Sequence, residues 1–211
     1  MTRKSIALRS RGFVDGHTTK GKGPIYRLRN ILPIPLVLLV ALWSEPTLVS
    51  LGRGGICLLV GQIIRLWSAG YGGGLRVAQE AQLVTWGPYG LVRNPSAWGT
   101  CLVGLGIAIM SGWWVAYLLL VLMVVAGIRY VIPIEEAVLE EQFGEAYMAY
   151  REAVPGYLPS GKHLLGWLKE GRGKKRVGIQ RFRAQEAWRM EGYMIMFLVG
   201  VIGAMVVQWL F

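Results

Sequence analysis

Five apolar runs constrain this chain more than anything else in it. They extend from about Leu28 to Glu45, Gly54 to Tyr71, Ala97 to Met110, Trp113 to Val131 and Gly192 to Phe211. A helix crossing a bilayer needs roughly 20 predominantly apolar residues, and the runs lie at or a little under that length. A water-soluble fold would have to hide all five in one interior. The chain lacks the polar coat for that: 54% of its residues are hydrophobic and 17% charged, against about 25% charged in soluble domains. The pattern predicts an all-α, polytopic membrane protein with about five transmembrane helices.

The same composition excludes a disordered chain, because disordered chains are poor in apolar residues. Cys57 and Cys101 lie inside apolar runs, and His17 and His163 stand far apart. Neither a disulfide framework nor a metal centre is expected from so few ligands. The 23 Lys and Arg against 12 Asp and Glu leave a net charge of +11. Nucleic acid is one partner for such a balance, but here the basic residues flank apolar spans. That favours an anionic membrane surface over nucleic acid. The first 30 residues do not read as a cleavable signal peptide.

Three regions follow. Residues 1–30 carry eight basic residues and one acid, Asp15, and read as a basic mobile arm. Residues 31–159 hold four apolar runs and two polar connectors. Residues 160–211 comprise a basic connector and the last apolar helix. Lys and Arg number two in 72–96 and eleven in 129–191. By the positive-inside rule, the arm and both connectors belong in the cytoplasm, with the N-terminus on that side. Arg65, near the end of its run, is expected to snorkel toward the headgroups. The turn at Ser111-Gly112 demands an antiparallel hairpin. Residues 134–152 predict one surface helix, with Leu139, Phe143, Ala146, Tyr147 and Tyr150 on its apolar face. The basic tract 172–183 suits anionic lipid, although such tracts also merely set topology.

Two stretches carry residues suited to chemistry. Trp86-Gly87-Pro88-Tyr89-Gly90-Leu91-Val92-Arg93-Asn94-Pro95 leads into the third run. Pro95 sits where a helix can start, so Arg93 and Asn94 stand at a helix entrance, where unpaired backbone donors welcome a carboxylate or phosphate. Arg93 can add a bidentate grip. Gly104 and Gly106 lie two to three turns deeper. They admit either a flat ligand group or a neighbouring helix, and taken alone such glycines favour packing. The second stretch, after Arg129, Tyr130 and Pro133, places Glu135 and Glu136 together. They can accept ribose hydroxyls or offset a sulfonium charge, or they serve as acids at a helix N-terminus.

In combination these blocks resemble a known family. Gly87-Pro88-Tyr89, Arg93-Asn94-Pro95 and Gly99, followed after a hairpin by Glu135-Glu136, Leu139, Phe143-Gly144, Tyr147, Tyr150 and Val154-Pro155, are similar to the isoprenylcysteine carboxyl methyltransferase and phospholipid methyltransferase family of integral membrane methyltransferases. The resemblance covers about residues 82–159, with a weaker echo at Arg65-Leu66-Trp67. It implies S-adenosylmethionine as cofactor, a cytosolic cofactor cleft, and a lipophilic acceptor drawn from the membrane. It further implies cofactor contacts at Tyr89, Arg93, Asn94, Pro95, Gly104, Gly106, Glu135 and Glu136. Asn94 stands where many relatives have His, Ala97 where an aromatic is usual, Ala81 and Gln82 where a His is often found, and Gly156 where Arg is frequent. The implied location is the inner membrane of a bacterial or archaeal cell, with the site facing the cytoplasm.

Methyl transfer is an in-line displacement that needs alignment and exclusion of water. A carboxylate acceptor requires no general base, only a cation to position it, and Arg129 is the candidate. An amine acceptor arrives protonated and must be deprotonated. This consideration favours an isoprenylcysteine-like carboxylate over a phospholipid amine. An NADPH-dependent, sterol-reductase-like enzyme and a non-catalytic lipid-binding protein are the other readings compatible with the architecture.

Overall fold

A computed structural model of the protein describes residues 33–72, 83–159, 161–170 and 182–211. The arm at 1–30 and most of the tract 172–183 lie outside the described residues. Within them the chain forms eight α-helices and no strand. These are α1 (Pro33–Leu42), α2 (Leu48–Gly72), α3 (Pro95–Ser111), α4 (Trp114–Ala126), α5 (Ile132–Phe143), α6 (Glu145–Ala153), α7 (Gly161–Glu170) and α8 (Ala184–Leu210). A 3-10 turn at Gly87–Gly90 precedes α3, and a π-helical turn at Gly127–Val131 joins α4 to α5.

Three helical stretches are long and apolar enough to cross a membrane: Leu48–Gly72, Trp114–Phe143 and Ala184–Leu210. The helices Pro33–Leu42 and Pro95–Ser111 are apolar but shorter. Large apolar side chains such as Leu59, Ile63, Val121, Leu122 and Val199 point outward, as lipid-facing positions require. The protein is an integral membrane protein.

Local chemistry explains where the helices start and stop. Thr47 and Ser50 cap α2 reciprocally, each hydroxyl accepting from the other's backbone N–H at 3.0 and 2.9 Å. Gly112 ends α3 in the left-handed region at φ 65°. Ser111 ties this corner together: its hydroxyl donates to Ala108 O, and its own carbonyl accepts from Glu45 N at 2.7 Å. Trp43 and Trp113 stack beside it, with ring centroids 6.5 Å apart.

The hairpin's second arm departs from the sequence expectation. Instead of a span ending at Val131 and one helix over 134–152, a continuous helical run reaches Phe143. Pro133 has no N–H, and its ring crowds the carbonyl four residues back, at Arg129. The wider π turn at Gly127–Val131 accommodates it. The break comes at Gly144, whose φ of 53° and ψ of −125° suit only glycine, so α6 is a separate helix.

Glycines govern the central contact. α2 and α3 run antiparallel, with Gly54 and Gly61 facing Gly106 and Gly99. A Cβ added at Gly61 would lie 2.7 Å from Gly99 O, and one at Gly106 would lie 2.7 Å from Gly54 O. Only hydrogen fits between such backbones, the small-residue packing that membrane helices favour. Around this pair, Val40, Leu58, Val103, Ile107, Leu198 and Met205 form the core.

Arg65 does not snorkel. Its guanidinium grips Glu191 of α8 bidentately, Nε to Oε2 at 2.9 Å and Nη2 to Oε1 at 3.0 Å. Gln62 adds a hydrogen bond from Nε2 to Glu191 Oε2 at 3.2 Å, and Arg65 Nη1 also reaches the Thr100 hydroxyl of α3. Glu191 is only 8% exposed, so its charge is largely withdrawn from water and has this one cationic partner in the contact. Removing one member of a buried pair strands the other charge. Arg65→Met should therefore cost about 3–5 kcal/mol, and Arg65→Met with Glu191→Leu should recover most of the loss. Thermal unfolding of the purified variants in detergent micelles measures both.

Candidate functional site

The polar residues singled out from sequence lie at the end of the bundle where α2 finishes and α3 and α8 begin. Arg183 N donates to Gly70 O at 2.9 Å, setting the start of α8 beside the end of α2. The 3-10 turn brings Tyr89 to the same place. The Tyr89 hydroxyl reaches Gly72, where an added Cβ would lie 2.7 Å from it, and the Tyr150 hydroxyl donates to the Tyr89 carbonyl at 2.7 Å. Tyr89 is thus held from α2 and from α6 at once. Gly87 has φ 60°, and an added Cβ there would lie 2.7 Å from the Tyr71 ring, so both conformation and space require glycine.

Arg93 joins three stretches. Its backbone N–H donates to Pro155 O at 2.9 Å. Its guanidinium lies against Gly156, where an added Cβ would stand 2.8 Å from Nη2. Nη1 lies 3.3 Å from Glu136 Oε1, both side chains being largely buried. The missing side chain at Gly156 leaves the space that the Arg93 guanidinium fills. The nearly inaccessible Tyr147 lies beside the same guanidinium. Leu83, Leu139 and Phe143 pack around Tyr147, Tyr150 and Val154, forming a second, smaller core that supports the site from below.

Several donors here have no partner. Arg93 Nε is buried without a hydrogen bond, and Nη1, despite its proximity to Glu136, makes no directed one. Asn94 Nδ2 is likewise buried and unsatisfied. Asn94 occupies the N-cap of α3 without capping it through its side chain. Buried donors left unmatched are costly. Arg93 Nε and Asn94 Nδ2 lie beside the first turn of α3, where Pro95 has no N–H and Ala97 N donates to Asn94 O at 3.2 Å, so these two side-chain donors are the ones left to cradle an anionic group. The donor set suits a carboxylate or a phosphate.

The other expected contacts are distributed unequally. Pro95 is buried as the first residue of α3, and Glu135 is half-buried one residue before Glu136. Gly106 faces Gly54 and Leu58 in the α2–α3 contact, and Gly104 faces Leu120. Gly104 also borders an apolar crevice lined by Leu36, Val37, Val40, Leu119 and Met123. Neither glycine is brought to the Arg93–Glu136 pair. Arg129 is exposed in the π turn. The sequence marks Gly156 only as a departure from the resembled pattern, and Trp167 is not singled out there at all. Trp167 Nε1 donates to Gly87 O at 3.2 Å, and an isolated Trp in a polar connector gave a weak signal for that contact.

The fold and this cluster define an integral membrane protein whose polar chemistry is gathered at one end of a helical bundle. Residues 49–146 match the model of the phospholipid methyltransferase family. Over this stretch, a little under half of the chain, the protein is similar to that family of membrane methyltransferases, which is related to the isoprenylcysteine carboxyl methyltransferases and uses S-adenosylmethionine. Neither the curated proteins nor the solved structures contain a match.

Burial raises the pKa of both tyrosines beneath the site. Glu136 adds to the effect at Tyr147 while Arg93 opposes it, and Tyr150 is the more strongly shifted. An unfolded tyrosine ionises near pH 10, whereas folded Tyr150 keeps its proton. Its contribution to stability is therefore complete below that pH and declines as pH rises above it. Tyr150→Phe should cost about 1 kcal/mol at neutral pH through the lost bond to Tyr89 and should make the alkaline decline shallower. Unfolding midpoints measured from pH 8 to pH 11 provide the check, as roughly spaced around the free-tyrosine value.

Proposed function

We propose that the protein transfers methyl groups from S-adenosylmethionine to the amine of an ethanolamine-type phospholipid, at a site facing the cytoplasm. The observation that carries the reading is the cluster of unmatched donors at Arg93 and Asn94 beside Glu136, within a stretch matching a phospholipid methyltransferase family. The family favours a phospholipid over the isoprenylcysteine-like carboxylate that the charge argument put first. The orientation rests on the distribution of Lys and Arg, and five spans, including the short α1 and α3, on the apolar pattern.

Each residue then has a task. Arg93 and Asn94, with the first turn of α3 opened by Pro95, hold the cofactor's carboxylate. Glu136 aligns Arg93 and, with Tyr89, bounds the cradle. Bound there, S-adenosylmethionine supplies an electrophilic methyl group for in-line displacement. Glu135 attracts the incoming ammonium and takes its proton, so that the nitrogen lone pair would form the new N–C bond as the methyl's C–S bond breaks and S-adenosylhomocysteine leaves. Arg129, exposed on the π turn, holds the lipid phosphate, retaining the anion-positioning task with a different anion. Gly104 and Gly106 leave the cofactor set, because contact at Gly106 would require α2 and α3 to part.

The test uses protein in lipid nanodiscs. Arg93→Ala should weaken S-adenosylmethionine binding by about 10- to 100-fold, the value of a hydrogen bond to a charged group, and Glu136→Gln should also weaken it. Labelled methyl groups should appear on phosphatidylethanolamine. Unchanged affinity in both variants would overturn the site. Methylation of an isoprenylcysteine analogue but not of phosphatidylethanolamine would overturn the acceptor, and binding of reduced nicotinamide cofactor instead would favour the reductase reading.

A further inference from the structure

We propose that α7 is an interfacial helix that docks on anionic lipid and, through Trp167, couples the charge of the bilayer to the cofactor turn at Gly87–Gly90. The coupling rests on the cofactor assignment above; the docking does not. Within α7, Leu164, Leu165 and Leu168 are exposed by 38%, 59% and 49%. Their spacing of one, three and four residues places them on one arc of a helix. Tyr157 and Leu158, exposed by 40% and 69%, continue the apolar surface.

Trp167 fixes the depth of this surface. Its indole meets Trp67 edge-on, with ring centroids 6.2 Å apart and planes at 70°. Trp67 stands five residues before the end of α2, a helix able to cross the membrane. At 1.5 Å per residue that is about 7 Å below the helix end, and interfacial helices bury their apolar face about 5–10 Å into the headgroup boundary. The Trp67 contact sets the apolar arc of α7 beside the last turns of α2, and the bilayer that α2 is able to cross is the occupant assigned to it. The sequence supplies the sign of the lipid: Lys162 and Lys169 against Glu170 fall within α7, and Arg172, Lys174, Lys175 and Arg176 follow it in the chain. Such clusters bind anionic headgroups.

The same tryptophan touches the site. Its Nε1 donates to the Gly87 carbonyl at 3.2 Å, and a Cβ added at Gly90 would lie 3.2 Å from that nitrogen. Gly87 is itself confined by the Tyr71 ring. The turn carrying Tyr89 is therefore closed on one side by α2 and on the other by Trp167. Docked on anionic lipid, α7 holds Trp167 in place and the turn with it. On neutral lipid that hold is weaker.

The experiment uses the full chain with Cys57 and Cys101 replaced by Ser and Leu165→Cys carrying an environment-sensitive fluorophore. The protein is placed in nanodiscs of phosphatidylcholine alone or mixed equally with phosphatidylglycerol. The expected result in anionic discs is a blue shift, a several-fold fall in quenching by aqueous iodide, and tighter S-adenosylmethionine binding. Trp167→Phe, which keeps the ring but loses the N–H, should preserve the fluorophore's shift and abolish the lipid dependence of cofactor affinity. Replacing Leu164, Leu165 and Leu168 by Ser in otherwise unlabelled protein should also abolish that dependence, leaving affinity in neutral discs unchanged. An aqueous spectrum in both compositions overturns the docking. Shielding in neutral detergent that rises with protein concentration assigns the patch to a second copy and overturns it too. A lipid dependence that survives Trp167→Phe overturns the coupling. Absence of S-adenosylmethionine binding in every disc refutes the functional reading, while the fluorophore still decides the docking.

Discussion

Four glycines let the backbones of α2 and α3 touch, and the remaining architecture depends on that approach. Gly54 and Gly61 are seven residues apart, as are Gly99 and Gly106, so each pair repeats on one helix face after two turns. With side chains absent, carbonyl oxygens and amides of opposite helices fill space that a Cβ would contest at 2.5–3.0 Å. In a bilayer no hydrophobic effect draws helices together, and such close packing is a main source of association. The contact also locates the site. It runs antiparallel, so the end of α2 and the beginning of α3 arrive at the same depth, carrying Trp67, Tyr71 and Gly72 on one side and Asn94 and Pro95 on the other.

Gly99 has a second consequence. An added Cβ there would lie 2.6 Å from Arg65 Cγ, so its absence lets the arginine stem lie across α3 and present the guanidinium to Glu191. Both charged residues sit seven positions from the ends of their helices, Gly72 and Ala184, about 10 Å inward at 1.5 Å per residue. At that depth a lone carboxylate is expensive, and the bidentate geometry compensates for it. The pair adds directed contact to apolar packing: α8 lies beyond the matched stretch 49–146, and besides its core residues Leu198 and Met205 it is held there by an ionic contact one turn from the helix entrance that bears Asn94.

Much of this was legible in the residues, and what was not had physical causes. Apolar run length located the helices, because burial in lipid leaves few alternatives, and Gly112 and Pro95 marked true ends through φ preference and the missing N–H. The break at Gly144 went unread because the apolar spacing from Leu139 to Tyr150 is helical across it, and side-chain periodicity does not record a backbone reversal. Pro133 falls between the expected span ending at Val131 and the expected helix from 134, and the π turn at Gly127–Val131 lets one helical run pass through it. Arg65 was assigned to the headgroups since its partner is 126 residues away, and pairing across such distance leaves no local pattern. At the site, the proximity of Arg93 to Glu136 follows the expected meeting of the two blocks. The Gly104–Gly106 pattern taken alone favours a helix neighbour over a ligand, and the seven-residue spacing of Gly99 and Gly106, matched by Gly54 and Gly61, agrees with it for Gly106.

The position of the cluster also bears on how an acceptor reaches it. Every acyl CH₂ drawn into water costs about 0.8 kcal/mol, so a two-chain lipid brought through the aqueous phase would forfeit far more than a headgroup contact returns. A lipid kept in the leaflet forfeits none of it and needs only to slide sideways until its headgroup meets the end of the bundle. Gly104 is nine residues along α3 from Pro95, about 13 Å deeper at 1.5 Å per residue. There it opens on the crevice walled by Leu36, Val37 and Val40 of α1 and by Leu119 and Met123 of α4. That surface offers an acyl chain contact and offers a nucleotide nothing to bond with. Polar donors at the bundle's end and apolar walls two to three turns below match the order of groups along a phospholipid. On the proposed reading, the glycine expected at the cofactor lies nearer the acceptor's tail.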